Sequence, residues 1–137
     1  MKVLIATQKP FAAAAVKGIR EILEGAGHEV VLLEKYAEAK DLIDAVADVE
    51  AMIIRSDKVT PEVLDAAKKL KIVVRAGAGF DNVDLAAATA HGVVVENTPG
   101  QNANAVAELA IALMIFMSRN QFTPVSGIEV QGKKLGI

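Results

Sequence analysis

Cysteine and tryptophan are absent from this 137-residue sequence, and tyrosine occurs only once. Without cysteine the chain has no disulfide, no thiolate nucleophile and no cysteine-based metal site. The net charge is −2, and lysine and arginine are scattered apart from two short pairs, Lys68-Lys69 and Lys133-Lys134. A nucleic-acid surface needs a basic stripe, often with aromatic side chains, so the composition argues against nucleic acid as a partner.

The sequence also lacks the features of a targeted or membrane protein. Met1 to Ile5 leads directly into strand-like sequence and has no signal-peptide layout. The apolar segment 103–117 is shorter than the about 20 residues that a bilayer crossing needs. We therefore expect a cytoplasmic protein with no membrane partner. Hydrophobic residues make up 53% of the chain, which is enough for the core of one domain.

Short apolar runs alternate with helical patterns along the first 100 residues. The patterns predict strands at 3–6, 30–33, 51–54, 72–74 and 93–95, with helices between them. Thr60-Pro61-Glu62 is typical of a helix start, and Gly27 of a helix end. Strands that are apolar on both faces favour a parallel sheet covered on both sides. The expected fold is a flavodoxin-like, doubly wound α/β domain with a five-stranded parallel sheet in the order 2-1-3-4-5.

The residues that carry chemistry follow strands one, three and four. In an open α/β sheet, ligands bind beyond the carboxyl ends of the strands, where the strand order reverses. Lys9 follows strand one, Arg55 and Ser56 follow strand three, and Arg75 follows strand four. Arg75 opens the segment 75–84, Arg-Ala-Gly-Ala-Gly-Phe-Asp-Asn-Val-Asp, whose glycines leave backbone amides accessible. Arginine binds carboxylate or phosphate in a bidentate manner, so this edge predicts a site for a small anionic ligand.

Each of these features has a structural alternative. Either arginine could instead form an ion pair with the aspartate at position 57, 81 or 84. The two glycines, with Asn82 in place of a third, make a weak dinucleotide fingerprint, and no long helix follows them directly.

His28 and His91 adjoin glycines at predicted helix ends, where an imidazole complements the helix dipole. We therefore predict no catalytic triad and no metal site.

Residues 103–117 are expected to form an apolar helix that only Asn104 and Glu108 interrupt. Asn102 is the candidate N-cap. A helix that is apolar on all sides is normally buried on several sides, so we expect this helix to pack on a second domain or a second copy of the chain. A buried Glu108 needs hydrogen bonds, and we expect it to cap the amides of a loop.

The last residues, Gly132 to Ile137, resemble a turn that leads into a new strand, at which the sequence stops. This pattern leads us to expect a piece of a longer protein. Two alternatives stay open: a truncated or engineered flavodoxin-like module that folds alone, and a small binding protein for phosphorylated acids.

Four segments of the sequence resemble the motifs of one protein family, and they occur in the same order and at the same spacing. They are Arg55-Ser56, residues 75–84, Asn97-Thr98-Pro99 and Asn104-Ala105-Val106-Ala107-Glu108. As a set they are similar to the motifs of the NAD-dependent D-2-hydroxyacid dehydrogenases, and the resemblance covers essentially the whole chain.

The resemblance implies how the chain is divided. Residues 1–100 would form the substrate domain, residues 101–120 an interdomain or fifth helix, and residues 121–137 a loop and the first strand of an absent NAD-binding Rossmann domain. The family's catalytic arginine, glutamate and histidine would lie in that absent part. Without it, helix 103–117 would fold back onto its own sheet or swap into a second chain, so we expect a homodimer.

The resemblance also implies roles for single residues. Arg55, Ser56 and Arg75 match positions near the anionic groups of the substrate. The backbone at Gly77 and Ala78 matches the loop that holds the substrate carboxylate. Ala78 also matches a position that touches the NAD cofactor, and it is the one cofactor-binding residue expected in this chain.

Overall fold

The computed structural model describes residues 1–136. The chain divides into two compact units, Met1–Pro99 and Gly100–Ile137. The first unit alternates strands and helices in the order β1 (Lys2–Thr7), α1 (Ala13–Gly25), β2 (Glu29–Glu34), α2 (Ala39–Ala45), β3 (Ala51–Ile54), α3 (Pro61–Ala66), β4 (Ile72–Arg75), α4 (Leu85–Ala90) and β5 (Val94–Asn97).

The strands form one parallel sheet in the order β2-β1-β3-β4-β5, which confirms the predicted fold and strand order. β1 lies between β2 and β3, with Ala6 opposite Leu33 on one side and Ile54 on the other. β4 lies between β3 and β5, so that Arg75 is opposite Ile54 and Asn97. The carboxyl ends of β3, β4 and β5 are therefore level, and the loops that follow them begin side by side.

Helices α2, α3 and α4 cover one face of the sheet and form the core with it. Leu4 and Ala6 of β1 point into this core. Val3 and Ile5 alternate with them and are equally buried, so β1 is covered on both faces, as a central parallel strand must be. The second face is less fully covered toward its margins, where Leu32 of β2 and Val94 of β5 are exposed.

Local signals set the ends of the helices. Gly27 and Gly92 follow α1 and α4 with φ values of +79° and +68°, which favour glycine over other residues. Asp84 caps α4, since its carboxylate accepts a hydrogen bond from the Ala87 N–H at 2.9 Å. Thr60 occupies the predicted N-cap position of α3, but its side chain makes no capping bond to the helix backbone.

The second unit consists of helix α5 (Ala103–Ser118), a short 3₁₀ helix (Asn120–Phe122) and the residues that follow. Helix α5 is present as predicted, and Asn102 is at its N-cap position without a side-chain capping bond. In its described residues the second unit has no sheet or further α-helix that could cover α5, so the helix is exposed in the single chain, and its packing on a second domain or a second copy of the chain stays a prediction. Glu108 is exposed too. The large apolar side chains of α5 that lie open to solvent are Val106, Leu109, Ile111, Leu113, Met114, Ile115 and Met117.

Residues 123–136 contain neither helix nor strand. The turn expected near Gly132 is present, and φ of this glycine is +70°. Residues 133–136 do not form the expected strand, since no neighbouring strand in this unit could complete its backbone hydrogen bonds. The end of that predicted strand, Ile137, lies outside the described residues. Over residues 1–136, no helix combines the length and the apolar character that a membrane crossing requires.

Candidate functional site

Arg55 and Arg75 lie next to each other at the carboxyl edge of the sheet. Arg75 is the last residue of β4 and is paired with Ile54, directly before Arg55. The Nε of Arg75 donates a hydrogen bond to the Arg55 carbonyl oxygen at 2.9 Å, which directs the Arg75 side chain toward the end of β3. Arg55 and Ser56 are exposed and Arg75 is half-buried. The structure thus brings three of the predicted substrate residues together.

The backbone at Gly77 and Ala78 is held by the end of β5. The Thr98 N–H donates to the Gly77 carbonyl oxygen at 2.9 Å, and the Asn97 Nδ2 donates to the Ala78 carbonyl oxygen at 2.7 Å. The Gly77 N–H is engaged in a tight turn with the Arg75 carbonyl oxygen at 2.8 Å. Within residues 1–136 the Ala78 N–H has no hydrogen-bond partner, so it is the amide of this pair that can bind a ligand.

Gly77 makes room for the side chain of Arg75. A Cβ atom placed on Gly77 would lie 2.5 Å from the Arg75 Cζ and closer still to its Nη1. Real Cβ atoms do not approach other heavy atoms so closely, so a larger residue would displace the guanidinium. The glycine therefore permits the guanidinium to lie against the loop backbone.

Neither Arg55 nor Arg75 is within 4.0 Å of a carboxylate oxygen in the part of the chain that the structure describes. The alternative of a structural ion pair with Asp57, Asp81 or Asp84 is therefore not what the structure shows. Two neighbouring arginine residues without a carboxylate partner favour the binding of an anion at this edge.

Asp57 has a role that is not evident from the sequence. Its side chain is buried, with only 2% of its surface exposed. The carboxylate accepts hydrogen bonds from the Tyr36 hydroxyl at 2.6 Å and from the Gln8 N–H at 2.7 Å, with the Arg55 N–H as a longer third donor at 3.4 Å. A buried carboxylate requires such donors. The signal in the sequence is slight: a single tyrosine just after the second predicted strand.

The hydrogen bond between Tyr36 and Asp57 also affects titration. Burial raises the pKa of the Tyr36 hydroxyl well above its ordinary value, and the hydrogen bond to the Asp57 carboxylate raises it further. Tyr36 therefore keeps its proton throughout the neutral range and is a constant donor to Asp57.

The loop between β3 and α3 is joined on its other side to residues 80–84. Val59 and Val83 form an isolated parallel bridge, and the Val59 N–H donates to the Asn82 carbonyl oxygen at 2.9 Å. The Asn82 Nδ2 donates to the Asp57 carbonyl oxygen at 2.7 Å. The loop that carries Ser56 is consequently fixed from both sides.

A cavity of about 260 Å³ lies beside Ser56, between α2 and α3. Ser56 is the one predicted substrate residue that lines it. Lys9 is not among its lining residues, and the Lys9 carbonyl oxygen accepts a hydrogen bond from the Thr7 hydroxyl at 2.6 Å. The remaining lining residues are Gln8, Tyr36, Ala39, Leu42, Lys58, Thr60 and Val63.

Both histidines lie at the opposite, amino-terminal edge of the sheet. The Nδ1 of His28 is 3.3 Å from the N-terminal amine. The Nδ1 of His91 is 2.9 Å from the Ala87 carbonyl oxygen at the end of α4, and its Nε2 is 3.0 Å from Asp65. The His91 contact agrees with the predicted role at a helix end, whereas the described contact of His28 is to the N-terminal amine and not to a helix carbonyl. In the described residues, no three His, Cys, Asp or Glu side chains are grouped so that they could hold a metal ion.

Comparison with known proteins identifies one enzyme family and relatives within it. Residues 4–130 match the family model described as D-isomer specific 2-hydroxyacid dehydrogenase, catalytic domain. The D-3-phosphoglycerate dehydrogenase of Sus scrofa is 40% identical over 132 residues, which cover 86% of this chain and 25% of that protein. The enzyme of the same name from Archaeoglobus fulgidus is 39% identical and covers 100% of this chain and 27% of that protein. The chain thus spans about a quarter of the length of these curated relatives.

Solved structures show the same fold. The NAD⁺-bound 3-phosphoglycerate dehydrogenase of Entamoeba histolytica is similar with a TM-score of 0.91 and 54% identity, over 95% of this chain and 43% of that chain. The NAD-dependent formate dehydrogenase of Staphylococcus aureus, in complex with NAD, is similar with a TM-score of 0.75 and 30% identity, over 88% of this chain and 39% of that chain.

Proposed function

Because the chain belongs to the D-isomer specific 2-hydroxyacid dehydrogenases, we propose that it forms the substrate-binding part of an NAD-dependent phosphoglycerate dehydrogenase. The reaction is the oxidation of the 2-hydroxyl group of 3-phospho-D-glycerate, which gives 3-phosphohydroxypyruvate and begins serine biosynthesis. The similarity to proteins named D-3-phosphoglycerate dehydrogenase supports this choice of substrate over other hydroxyacids.

The observation that carries the proposal is the pair of guanidinium groups at the carboxyl edge, Arg55 and Arg75, which have no carboxylate partner in the described residues. The substrate is an anion at both ends, with a carboxylate and a phosphate. Arginine suits both groups because its planar fork of donors matches their oxygen atoms. The Ser56 hydroxyl and the free Ala78 N–H add two neutral donors at the same edge.

The residues at this edge fit the nicotinamide end of NAD but not its pyrophosphate. Ala78 is small and half-buried and follows Arg75 in the glycine loop, and it is the residue that would contact the nicotinamide end of NAD. A pyrophosphate needs the free amides of a helix N-terminus, whereas the glycine loop leads into residues 80–84 before α4 begins at Leu85. The chemistry that NAD supplies when bound is acceptance of the hydride from the substrate carbon.

We also propose that this chain alone does not turn over the substrate. Oxidation of an alcohol requires a general base within hydrogen-bond reach of the hydroxyl. Both histidines lie at the amino-terminal edge, held near the N-terminal amine and Asp65. Incubation of the purified chain with 3-phosphoglycerate and NAD should therefore give no NADH above the blank. A steady rate proportional to protein concentration would contradict this part of the proposal.

Calorimetric titration of the 137-residue chain with 3-phosphoglycerate tests the binding role. Arg55→Ala should weaken binding about tenfold or more, since hydrogen bonds to charged groups contribute about 1.5–3 kcal/mol each. Arg20→Ala is the matched control, because Arg20 is paired with Glu24 on α1. The proposal fails if the wild-type chain does not bind, or if Arg55→Ala and Arg20→Ala bind equally well.

A further inference from the structure

Three loops that are far apart in the sequence meet at the buried carboxylate of Asp57. Gln8 follows β1, Tyr36 follows β2, and Asp57 itself follows β3. The Oδ1 of Asp57 accepts both the Gln8 N–H and the Tyr36 hydroxyl, at 2.7 Å and 2.6 Å, while its Oδ2 is 3.4 Å from the Arg55 N–H. One side chain therefore connects the carboxyl ends of three neighbouring strands, including the point where the strand order reverses.

The backbone before Tyr36 is shaped for this contact. Lys35 has a φ of +57°, a left-handed conformation that is uncommon for a residue other than glycine. Its N–H donates to the Thr7 carbonyl oxygen at 3.1 Å, which continues the pairing of β1 with β2 by one residue. Such a conformation persists only where the surroundings enforce it. The chain thus leaves β2 in a direction that brings the Tyr36 hydroxyl to Asp57.

We propose that Asp57 and Tyr36 are positioning residues of the anion site, which hold the backbone of Arg55 and Ser56 in place beside β1. In this role the Asp57 carboxylate and the Tyr36 hydroxyl act through their hydrogen bonds within the protein and not through contact with the anion. They fix the strand end from which the Arg55 guanidinium and the Ser56 hydroxyl extend, so the donors are in place before the anion arrives. The inference rests on the proposed function, because it concerns the same site.

The charge of Asp57 distinguishes an electrostatic role from a positioning role, because the two roles predict opposite changes in anion affinity when Asp57 is replaced. If this carboxylate acted only through its charge, it would repel the anion, and its removal would strengthen anion binding. If it acts by positioning, its removal weakens binding because Arg55 and Ser56 lose their anchor. Tyr36→Phe adds a variant in which the formal charge is unchanged and only one hydrogen bond is lost.

The experiment is a calorimetric titration of 3-phosphoglycerate into the wild-type chain, Asp57→Asn and Tyr36→Phe. Chemical denaturation is measured in parallel, so that only variants folded at the titration temperature are compared. We expect both variants to bind about tenfold more weakly than the wild type, because part of the binding free energy is then needed to order the loop that carries Arg55 and Ser56. Asp65→Asn is the matched control, since its carboxylate is also bonded to an aromatic side chain but at the amino-terminal edge.

The possible results separate the two proposals. Wild-type binding that is lost in Arg55→Ala but unchanged or stronger in Asp57→Asn overturns the positioning role and leaves the proposed function intact. Absence of binding by the wild type overturns both. If Asp57→Asn does not fold, Tyr36→Phe decides: equal affinity to the wild type contradicts the inference, and weaker affinity in a folded chain supports it.

Discussion

The guanidinium of Arg75 is held by one hydrogen bond, and it occupies space that is open because Gly77 has no side chain. Its Nε donates to the Arg55 carbonyl oxygen, and the rest of the group occupies the space that a Cβ on Gly77 would need. The sequence predicts that the glycines expose amides to a ligand. It could not predict that Gly77 mainly accommodates Arg75, because this depends on the rotamer of a long side chain.

Gly77→Ala should therefore reduce binding without unfolding the chain. The φ of Gly77 lies outside the range that favours glycine, and the atoms that a methyl group would meet belong to the far end of a flexible side chain. We expect the free energy of unfolding to change by less than about 1 kcal/mol. The affinity for 3-phosphoglycerate should fall about tenfold because the guanidinium is displaced.

Calorimetry and urea denaturation measure the two quantities for Gly77→Ala. Gly18→Ala is the control, because a Cβ at that position in α1 would meet no described atom within 4 Å apart from the adjacent backbone of its own helix. It should leave the affinity unchanged. Equal affinities of Gly77→Ala and the wild type would show that the position of the Arg75 guanidinium is unimportant for binding.

Tyr36 can be followed directly, since it is the only tyrosine and the chain has no tryptophan. Burial and the hydrogen bond to Asp57 raise its pKa, so the phenol should ionise well above the ordinary value of about 10. Ultraviolet absorbance against pH measures this. Asp57→Asn should move the transition to lower pH, and a transition at the ordinary value in the wild type would contradict the contact.

The raised pKa of Tyr36 also makes the free energy of unfolding depend on pH, and the direction of this dependence follows from proton linkage. A folded-state pKa that is raised above the unfolded value favours the folded chain fully below about pH 10, and this contribution is lost as the pH rises further. The unfolding free energy of the wild type should thus fall more steeply than that of Tyr36→Phe above this pH.

Helix starts illustrate what a local pattern can and cannot predict. Thr60-Pro61-Glu62 correctly predicts where α3 begins, yet the Thr60 side chain makes no capping bond to the helix backbone. Asp84 makes one, to the Ala87 N–H. The position of a cap depends on residue type and spacing, whereas the bond depends on the rotamer chosen in the folded loop.

The two caps should consequently differ in their contribution to stability. Asp84→Ala should lower the free energy of unfolding by about 1 kcal/mol, the usual value for loss of an N-cap bond. Thr60→Ala should lower it by less, because no capping bond is lost. Urea denaturation compares the two variants, and a larger loss for Thr60→Ala would contradict the observed geometry.

Helix α5 shows that an apolar pattern predicts the presence of a helix better than it predicts which parts of the protein cover that helix. The run of apolar residues correctly indicates a helix, but burial depends on what covers it, and its large side chains are exposed. Exposed apolar surface of this extent favours association. We propose that two copies of this 137-residue chain associate through α5, which would form the homodimer expected from the sequence.

Light scattering tests the association. The wild-type chain should have the mass of a dimer, and the double variant Leu109→Glu with Leu113→Glu should have the mass of a monomer. Ile22→Glu is the control, because Ile22 is an apolar residue on α1 that is even more exposed than Leu109 and Leu113. A monomeric wild-type chain would contradict the proposal.

For the whole molecule, the parallel sheet could be predicted because its strands are short and apolar on both faces, and five such strands that alternate with helices favour the order 2-1-3-4-5. That order alone brings Arg55, Arg75 and the glycine loop to one edge. The links that fix this edge could not be predicted. Asp57 with Tyr36, Asn82 with the Asp57 carbonyl, and Asn97 with Ala78 are contacts between loops, which have no periodic signal in the sequence.

The two edges of the sheet differ in how their positive charges are used. At the amino-terminal edge, Lys71 and Lys2 are paired with Glu50 and Asp48, at 3.0 Å and 2.8 Å. At the carboxyl edge the two arginines have no such partner in the described residues. Although both edges are basic in places, an anion should therefore bind at the carboxyl edge.

The most direct test is a nuclear magnetic resonance titration of the ¹⁵N-labelled wild-type chain with 3-phosphoglycerate, compared with D-glycerate, which lacks the phosphate. We expect amide shifts confined to residues 55–58 and 76–79, with tighter binding of the phosphorylated acid. Shifts confined to the lysines at 68–71, or equal affinity for the two acids, would contradict the assignment of the carboxyl edge as the site for a doubly anionic substrate.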